Sequence, residues 1–215
     1  MARHDWYRRT TWTQRDQNEF LARNKRSRGA DSKAQYLRIQ AQTLLETGNP
    51  VLIGSALDLV QKACSEYPHA MDSALAFETA GRCCEALGRA DEAIRFYRQA
   101  LQREREFPGI RTNAAFRLAK VAIENERRDL YSEAVDAAAA HGEPIFPWNA
   151  YFLYGARAVI ARDRGDHAEA KSLATTALQA SAVGDTGLSH GRGHLGTVKS
   201  PPARFHAILR RIADA

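Results

Sequence analysis

Along most of this chain apolar and small residues recur three and four positions apart, as in Ala93, Tyr97, Ala100 and Leu101. Residues so spaced share one face of a helix, whereas strands alternate with period two, and that alternation is nearly absent here. The pattern predicts an all-helical protein. Thr13 to Arg26 reads as an amphipathic helix carrying Phe20 and Leu21, and Phe205, Ile208, Leu209 and Ile212 fall at i, i+3, i+4 and i+7 just after Pro201-Pro202, predicting a short terminal helix with one apolar stripe. Pro68, Pro108 and the pair Pro144/Pro147 recur at similar intervals, each where a helix interior would be interrupted, and so mark turns between helices.

The helical stretches repeat. Gly88-Arg-Ala-Asp-Glu92-Ala93, followed by Ala100-Leu101, returns as Gly165-Asp-His-Ala-Glu169-Ala170, followed by Ala177-Leu178, every matched position displaced by 77 residues. Such a displacement is about two periods of ~34 residues with room for loop insertions, which implies one repeat between them. An earlier unit reads Leu37, Ala41, Leu44 and Gly48, then Ala56, Val60, Ala63 and Pro68 after a longer turn around Asn49-Pro50. Asn113 to His141 offers Ala119 and Ala122 but no turn glycine, so a degenerate repeat is inferred there from spacing.

Phe77, Gly81, Cys84, Gly88, Ala93, Tyr97 and Ala100 resemble the tetratricopeptide repeat position for position. The later copy, with Tyr154, Ala158, Ala161, Gly165, Ala170 and Ala177, has Ala174 where an aromatic is expected. Small residues at the crossing let two antiparallel helices approach closely. The resemblance covers roughly residues 33–181 and implies an all-α, right-handed α-solenoid of about four helix pairs. The segment Lys33 to Gln40 is also similar to that of small bacterial repeat proteins, a likeness that brings no activity with it. The expected organisation is a basic aromatic arm and helix over 1–31, repeats over 32–182, a Gly/His/Pro loop over 183–202 and a capping helix over 203–215 that covers the exposed end of the array.

In such an array the first helices line a concave groove that accepts a peptide or a partner helix. Projection of the inward positions gives Gln35, Arg38, Gln42, Glu78, Arg82, Glu85, Asn113, Arg117, Lys120 and Glu124, a polar set of mixed sign. The Lys/Asn pattern by which some members of the family clamp a terminal carboxylate is replaced by Glu78 and Arg82 in the best-matched repeat. The resemblance therefore implies a non-enzymatic adaptor or regulator that binds a protein.

Composition adds two points. With 44% hydrophobic and 26% charged residues the chain has the makings of a core rather than of a disordered polymer. The net charge of +6 is concentrated: residues 1–38 hold ten Lys/Arg against four Asp/Glu, and the remainder is balanced at 21 against 21. The basic arm interleaves Arg3, Arg8, Arg9, Arg15, Arg23, Lys25, Arg26 and Arg28 with Trp6, Tyr7 and Trp12. Cations with stacking rings suit single-stranded nucleic acid, and an acidic protein is a further candidate partner. The same residues also suit an arm whose rings dock on the first repeat while its charges stay in water. No apolar stretch has the length of a signal or a membrane span, so a cytoplasmic protein with no membrane contact is expected.

Several motifs with chemical associations lack their context. Gly191-Arg-Gly193-His-Leu-Gly196-Thr-Val198 satisfies G-x-G-x-x-G, but Ser200-Pro-Pro follows where a dinucleotide site needs a helix amino terminus. A nucleotide or enzymatic site on the 190–200 loop is thus a minor alternative. His190 and His194 are surrounded by glycines and have no adjacent cysteine or glutamate, so no zinc site is expected. His4, His69, His141, His167 and His206 fall at expected turns, termini or helix surfaces. Glu124/Glu126 and Asp163/Asp166 sit near expected helix ends as solvated charge, and Cys64, Cys83 and Cys84 read as buried small thiols rather than a disulfide or metal set. No catalytic residues, metal or cofactor are expected.

Overall fold

A computed structural model describes residues 5–188 and 192–215. Arg3 and His4 of the arm, and His190 and Gly191 of the glycine motif, lie outside the described residues. Among the described residues the regular structure is all helical, ten α-helices and one short 3-10 turn. The chain forms two compact units that divide between Ala114 and Ala115.

The first unit holds α1 (Gln14–Arg26), α2 (Ala30–Leu45), α3 (Pro50–Glu66), α4 (Ser73–Ala86) and α5 (Ala90–Glu106). Each packs on the next from α2 to α5, and α2 also meets α4. Local signals set the boundaries. Thr13 caps α1 in a reciprocal box with Asp16, Asn49 caps α3 with Pro50 in its first turn, and Gly48 and Gly88 take left-handed backbone (φ 70° and 73°) to end α2 and α4. Leu37, Ala41, Leu44, Ala56, Val60, Ala80, Cys84, Ala93, Tyr97 and Ala100 are among its buried core residues, and Phe77 is half-buried.

The second unit holds α6 (Ala114–Glu124, all but its first residue), the 3-10 turn Arg128–Leu130, α7 (Tyr131–Ala139), α8 (Pro147–Asp163), α9 (His167–Ala182) and α10 (Ala203–Asp214). Here α8 packs on α7 and α9, and α10 lies on both α8 and α9. Phe205, Leu209 and Ile212 of α10 are buried. Phe205 and Leu209 press on Gly155 of α8 so closely that a Cβ there would lie 2.8 Å from the Phe205 ring. A larger residue at 155 would lift the terminal helix off its seat.

A turn glycine missing from the sequence between α6 and α7 is replaced by Glu126, which takes left-handed backbone at φ 55°. The N–H that follows it closes on a carbonyl five residues back, Arg127 to Ala122 at 2.8 Å, the same bond that Arg89 makes to Cys84 (2.8 Å) after Gly88 and Asp166 makes to Ala161 (3.0 Å) after Gly165. Three helix ends therefore share one closure, and only the middle one is built without glycine.

Candidate functional site

The helix α6 is buried on most sides through Phe116, Leu118, Ala119, Val121, Ala122 and Ile123. Its polar positions Arg117, Lys120 and Glu124 fall at i, i+3 and i+7 and form one half-buried stripe. Lys120 pairs with Glu124 at 3.3 Å, and the Arg117 guanidinium lies 5.1 Å from the centre of the Trp148 ring.

Trp148 stands in the first turn of α8, where Pro147 tolerates the absence of an intrahelical acceptor. Its own N–H, one of the donors a helix start leaves unpaired, is taken by the Gly196 carbonyl at 2.7 Å. Gly196 has φ 76°, and a Cβ on it would lie 2.4 Å from the Phe146 ring, so only glycine serves there. The loop before it is closed on itself: the Thr186 N–H donates to the Gly193 carbonyl at 2.7 Å, the Asp185 carboxylate accepts the Gly187 N–H at 2.7 Å, and a Cβ at Gly193 would meet Asp185 Oδ1 at 2.0 Å. The two described glycines of the G-x-G-x-x-G sequence are thus explained by packing and turn geometry.

Held this way, Thr197–Ser200 lies by the start of α8 and forms one side of an open cavity of about 330 Å³. Arg117, Lys120 and Lys199 supply cations to its wall, Thr197 and Ser200 hydroxyls, and Trp148, Phe152, Val198 and Pro202 apolar surface. Ile145 (89% exposed), Phe146 and Leu195 (46%) are exposed apolar residues at the point where Phe146 meets Gly196. A second cavity, about 260 Å³ against α7, α8 and the first turn of α9, mixes Asp136 and Glu169 with Arg157 and Arg164, so opposite charges meet in its lining.

The structure distributes the predicted groove residues between the two units. Arg117 and Lys120 come together with the 197–202 segment, and Glu124 adjoins them through Lys120. In the first unit Gln35 is exposed, Gln42 donates to Glu46 at 2.9 Å, and Arg82 is half-buried. Arg38 pairs with Asp72 at 2.8 Å, tying α2 to the start of α4. Glu85 accepts the Tyr97 hydroxyl at 2.7 Å. Glu78 is only 7% exposed, and its carboxylate accepts the N–H of Asn113, itself exposed, at 3.3 Å. Arg38, Glu78 and Glu85 thus carry packing duties that an inward helical position does not reveal. Trp148 and Phe152 of α8 are cavity members that the repeat positions do not point to, and Lys199 joins them from the 190–200 loop that the sequence carried as an alternative site.

The basic arm is docked. Trp6 lies 5.3 Å from Phe20 and 4.9 Å from Tyr36, Tyr7 lies 4.7 Å from Tyr36, and Trp12 lies 5.4 Å from Phe20. The buried Gln40 amide clasps the Arg9 backbone, accepting its N–H at 2.9 Å and donating to its carbonyl at 2.7 Å. Arg9 also pairs with Asp16 (2.6 Å) and Glu19 (2.7 Å). The rings that would stack on bases are engaged with Phe20 and Tyr36.

The remaining titratable candidates have local partners. Glu126 meets Arg204 at 2.8 Å, Asp163 meets Arg162 at 2.6 Å and Arg128 at 3.4 Å, and Asp166 caps α9 through the Glu169 N–H. The three cysteines are free and buried, and burial pushes Cys64 and Cys83 up to about 12 and Cys84 up to about 11, so their reactive thiolate forms are suppressed. Among the described residues no helix is long and apolar enough to cross a membrane, and no three His, Cys, Asp or Glu side chains gather as metal ligands. No protein-family model matches the chain, and no curated protein shows a significant match to it.

Proposed function

We propose that this chain is a non-enzymatic helical-repeat protein of the tetratricopeptide kind, a right-handed solenoid of about four helix pairs, that binds a protein or peptide partner. The repeat reading is supported by the shared left-handed closures after α4, α6 and α8, which recur at Gly88, Glu126 and Gly165. Helix hairpins ended alike at regular intervals are the unit from which such arrays are stacked.

The observation that carries the binding reading is exposed apolar surface in the second unit. Ile145 and Phe146 directly precede α8, Leu195 directly precedes the Gly196 that meets Phe146, and the segments they lead into line the cavity that holds Arg117, Lys120 and Lys199. Exposed apolar residues gathered within a polar border mark interaction surfaces. The chemistry fits a segment that presents an apolar side chain followed by acidic ones.

Selection of a random peptide library on the immobilised protein tests this reading. Enriched sequences should combine an apolar residue with acidic neighbours and lose binding to the double variant Ile145→Asp, Leu195→Asp. An absence of enrichment, or equal binding to that variant, contradicts it.

A further inference from the structure

We infer that the cavity between α6, the start of α8 and the Thr197–Pro202 segment binds a small organic oxyanion: a phosphate or carboxylate group carried on a flat apolar body. The partner reading draws on the same three cations, so the two are told apart by Ile145→Asp, Leu195→Asp, which removes the exposed apolar residues and leaves the cavity lining unchanged.

Size comes first. At about 330 Å³ the cavity lies within the range of small-molecule sites, roughly 300–1,000 Å³, and is too small for a folded partner to enter. Half-buried Trp148 and Pro202, with the buried Phe152 and Val198, make the apolar part of its lining, and Lys199, Ser200, Thr197, Arg117 and Lys120 add hydrogen-bond donors and positive charge. Five of the nine lining residues are polar or charged, so the cavity is more polar than the usual ligand pocket and suits a ligand whose charged group dominates its recognition.

Charge decides the sign of the ligand. All the charged lining residues, Arg117, Lys120 and Lys199, are cations, and the nearest described carboxylate on the same helix stripe, Glu124, is engaged with Lys120. Lys120 already holds Glu124 and Arg117 lies over Trp148, so the exposed Lys199 is the cation an incoming anion would engage, and a cation would find no carboxylate in the lining. The second cavity of the same unit, lined by Asp136 and Glu169 as well as Arg157 and Arg164, has no such preference.

The site is also prepared. Arg117 is already held over Trp148, and the loop is fixed by the Trp148-to-Gly196 bond and the Phe146 ring, so little ordering remains for a ligand to impose. A ring set against the half-buried Trp148 would share the cavity with Lys199 and the two hydroxyls.

The test follows the Trp148 indole N–H by nuclear magnetic resonance in the intact chain, with Trp6 and Trp12 as internal controls, during titration with phenyl phosphate, benzoate and neutral phenol. Phenyl phosphate and benzoate should shift Trp148 alone and saturate with Kd below about 1 mM, phenol should bind at least ~10-fold more weakly, and Lys199→Glu should weaken both anions by ~10-fold or more. Lys199 is exposed, so this variant keeps its fold; Lys120→Gln should weaken the anions in the same direction. An unmoved Trp148 signal, equal shifts of all three indoles, phenol equal to phenyl phosphate, or an unchanged Kd in Lys199→Glu would each overturn the inference.

Discussion

Gly81 of α4 faces Tyr97 of α5 at such close range that a Cβ on residue 81 would lie 2.4 Å from the tyrosine Cε1. The Tyr97 ring is fully buried and its hydroxyl is anchored 2.7 Å from the Glu85 carboxylate, so it cannot swing aside without losing that bond. Gly81→Ala is therefore expected to destabilise the protein despite the better helix propensity of alanine. Overpacking of this kind costs about 1–3 kcal/mol, and the ~1 kcal/mol gained by removing a helical glycine offsets only part of it. Chemical denaturation should show the loss, and in a Tyr97→Leu background the same substitution should become neutral or favourable.

The turn at Glu126 leads to the opposite expectation. A residue with a Cβ pays about 1 kcal/mol or more for left-handed backbone, and glycine does not. Glu126→Gly sacrifices only an exposed contact with Arg204, of a type worth about 0–1 kcal/mol. Its thermal midpoint should be equal to or above that of the parent, whereas Gly165→Ala, at φ 85°, should lower it. A large fall in Glu126→Gly would show that the carboxylate itself has a role at this turn.

These two positions show what could be read from the chain and what could not. The terminal helix, the start of α1 at its Thr13 cap, Pro50 and Pro147 in first turns, and the glycine ends of α2, α4 and α8 follow from local rules that each act within a few residues. Glu126 was illegible because a left-handed glutamate leaves no compositional mark. The cavity was illegible for a different reason: its loop side is joined to α8 by the bond from the Trp148 N–H to the Gly196 carbonyl, a contact across 48 positions that no periodicity encodes, and Lys199 lines it together with Arg117 and Lys120 of α6. Glu78 misled because a helix position facing inward can serve a groove or accept a neighbouring N–H, and side-chain type does not distinguish the two.

Acid should loosen the first helix in a defined window. The Thr13 backbone N–H, then its hydroxyl, together with Arg9 and Thr11, hold the Asp16 carboxyl down at about 2. An unfolded aspartate titrates near ~3.9, so this contribution to stability is complete above about pH 4 and is lost as the pH falls towards about 2. Stability measured across that interval should decline less steeply in Asp16→Asn than in the parent. At neutral pH, Thr13→Ala should cost about 1 kcal/mol through loss of the cap.

The proposed binding face lies at the α8 start and its capping loop, not on the first unit. A photo-crosslinking amino acid placed at Ile145, and separately at Gln35 on the first unit, reports this directly once a selected peptide is in hand. Strong crosslinking from position 145 that disappears with Leu195→Asp is the predicted result. Crosslinking from position 35 with none from 145 would contradict the assignment of the binding face to the α8 start and its capping loop.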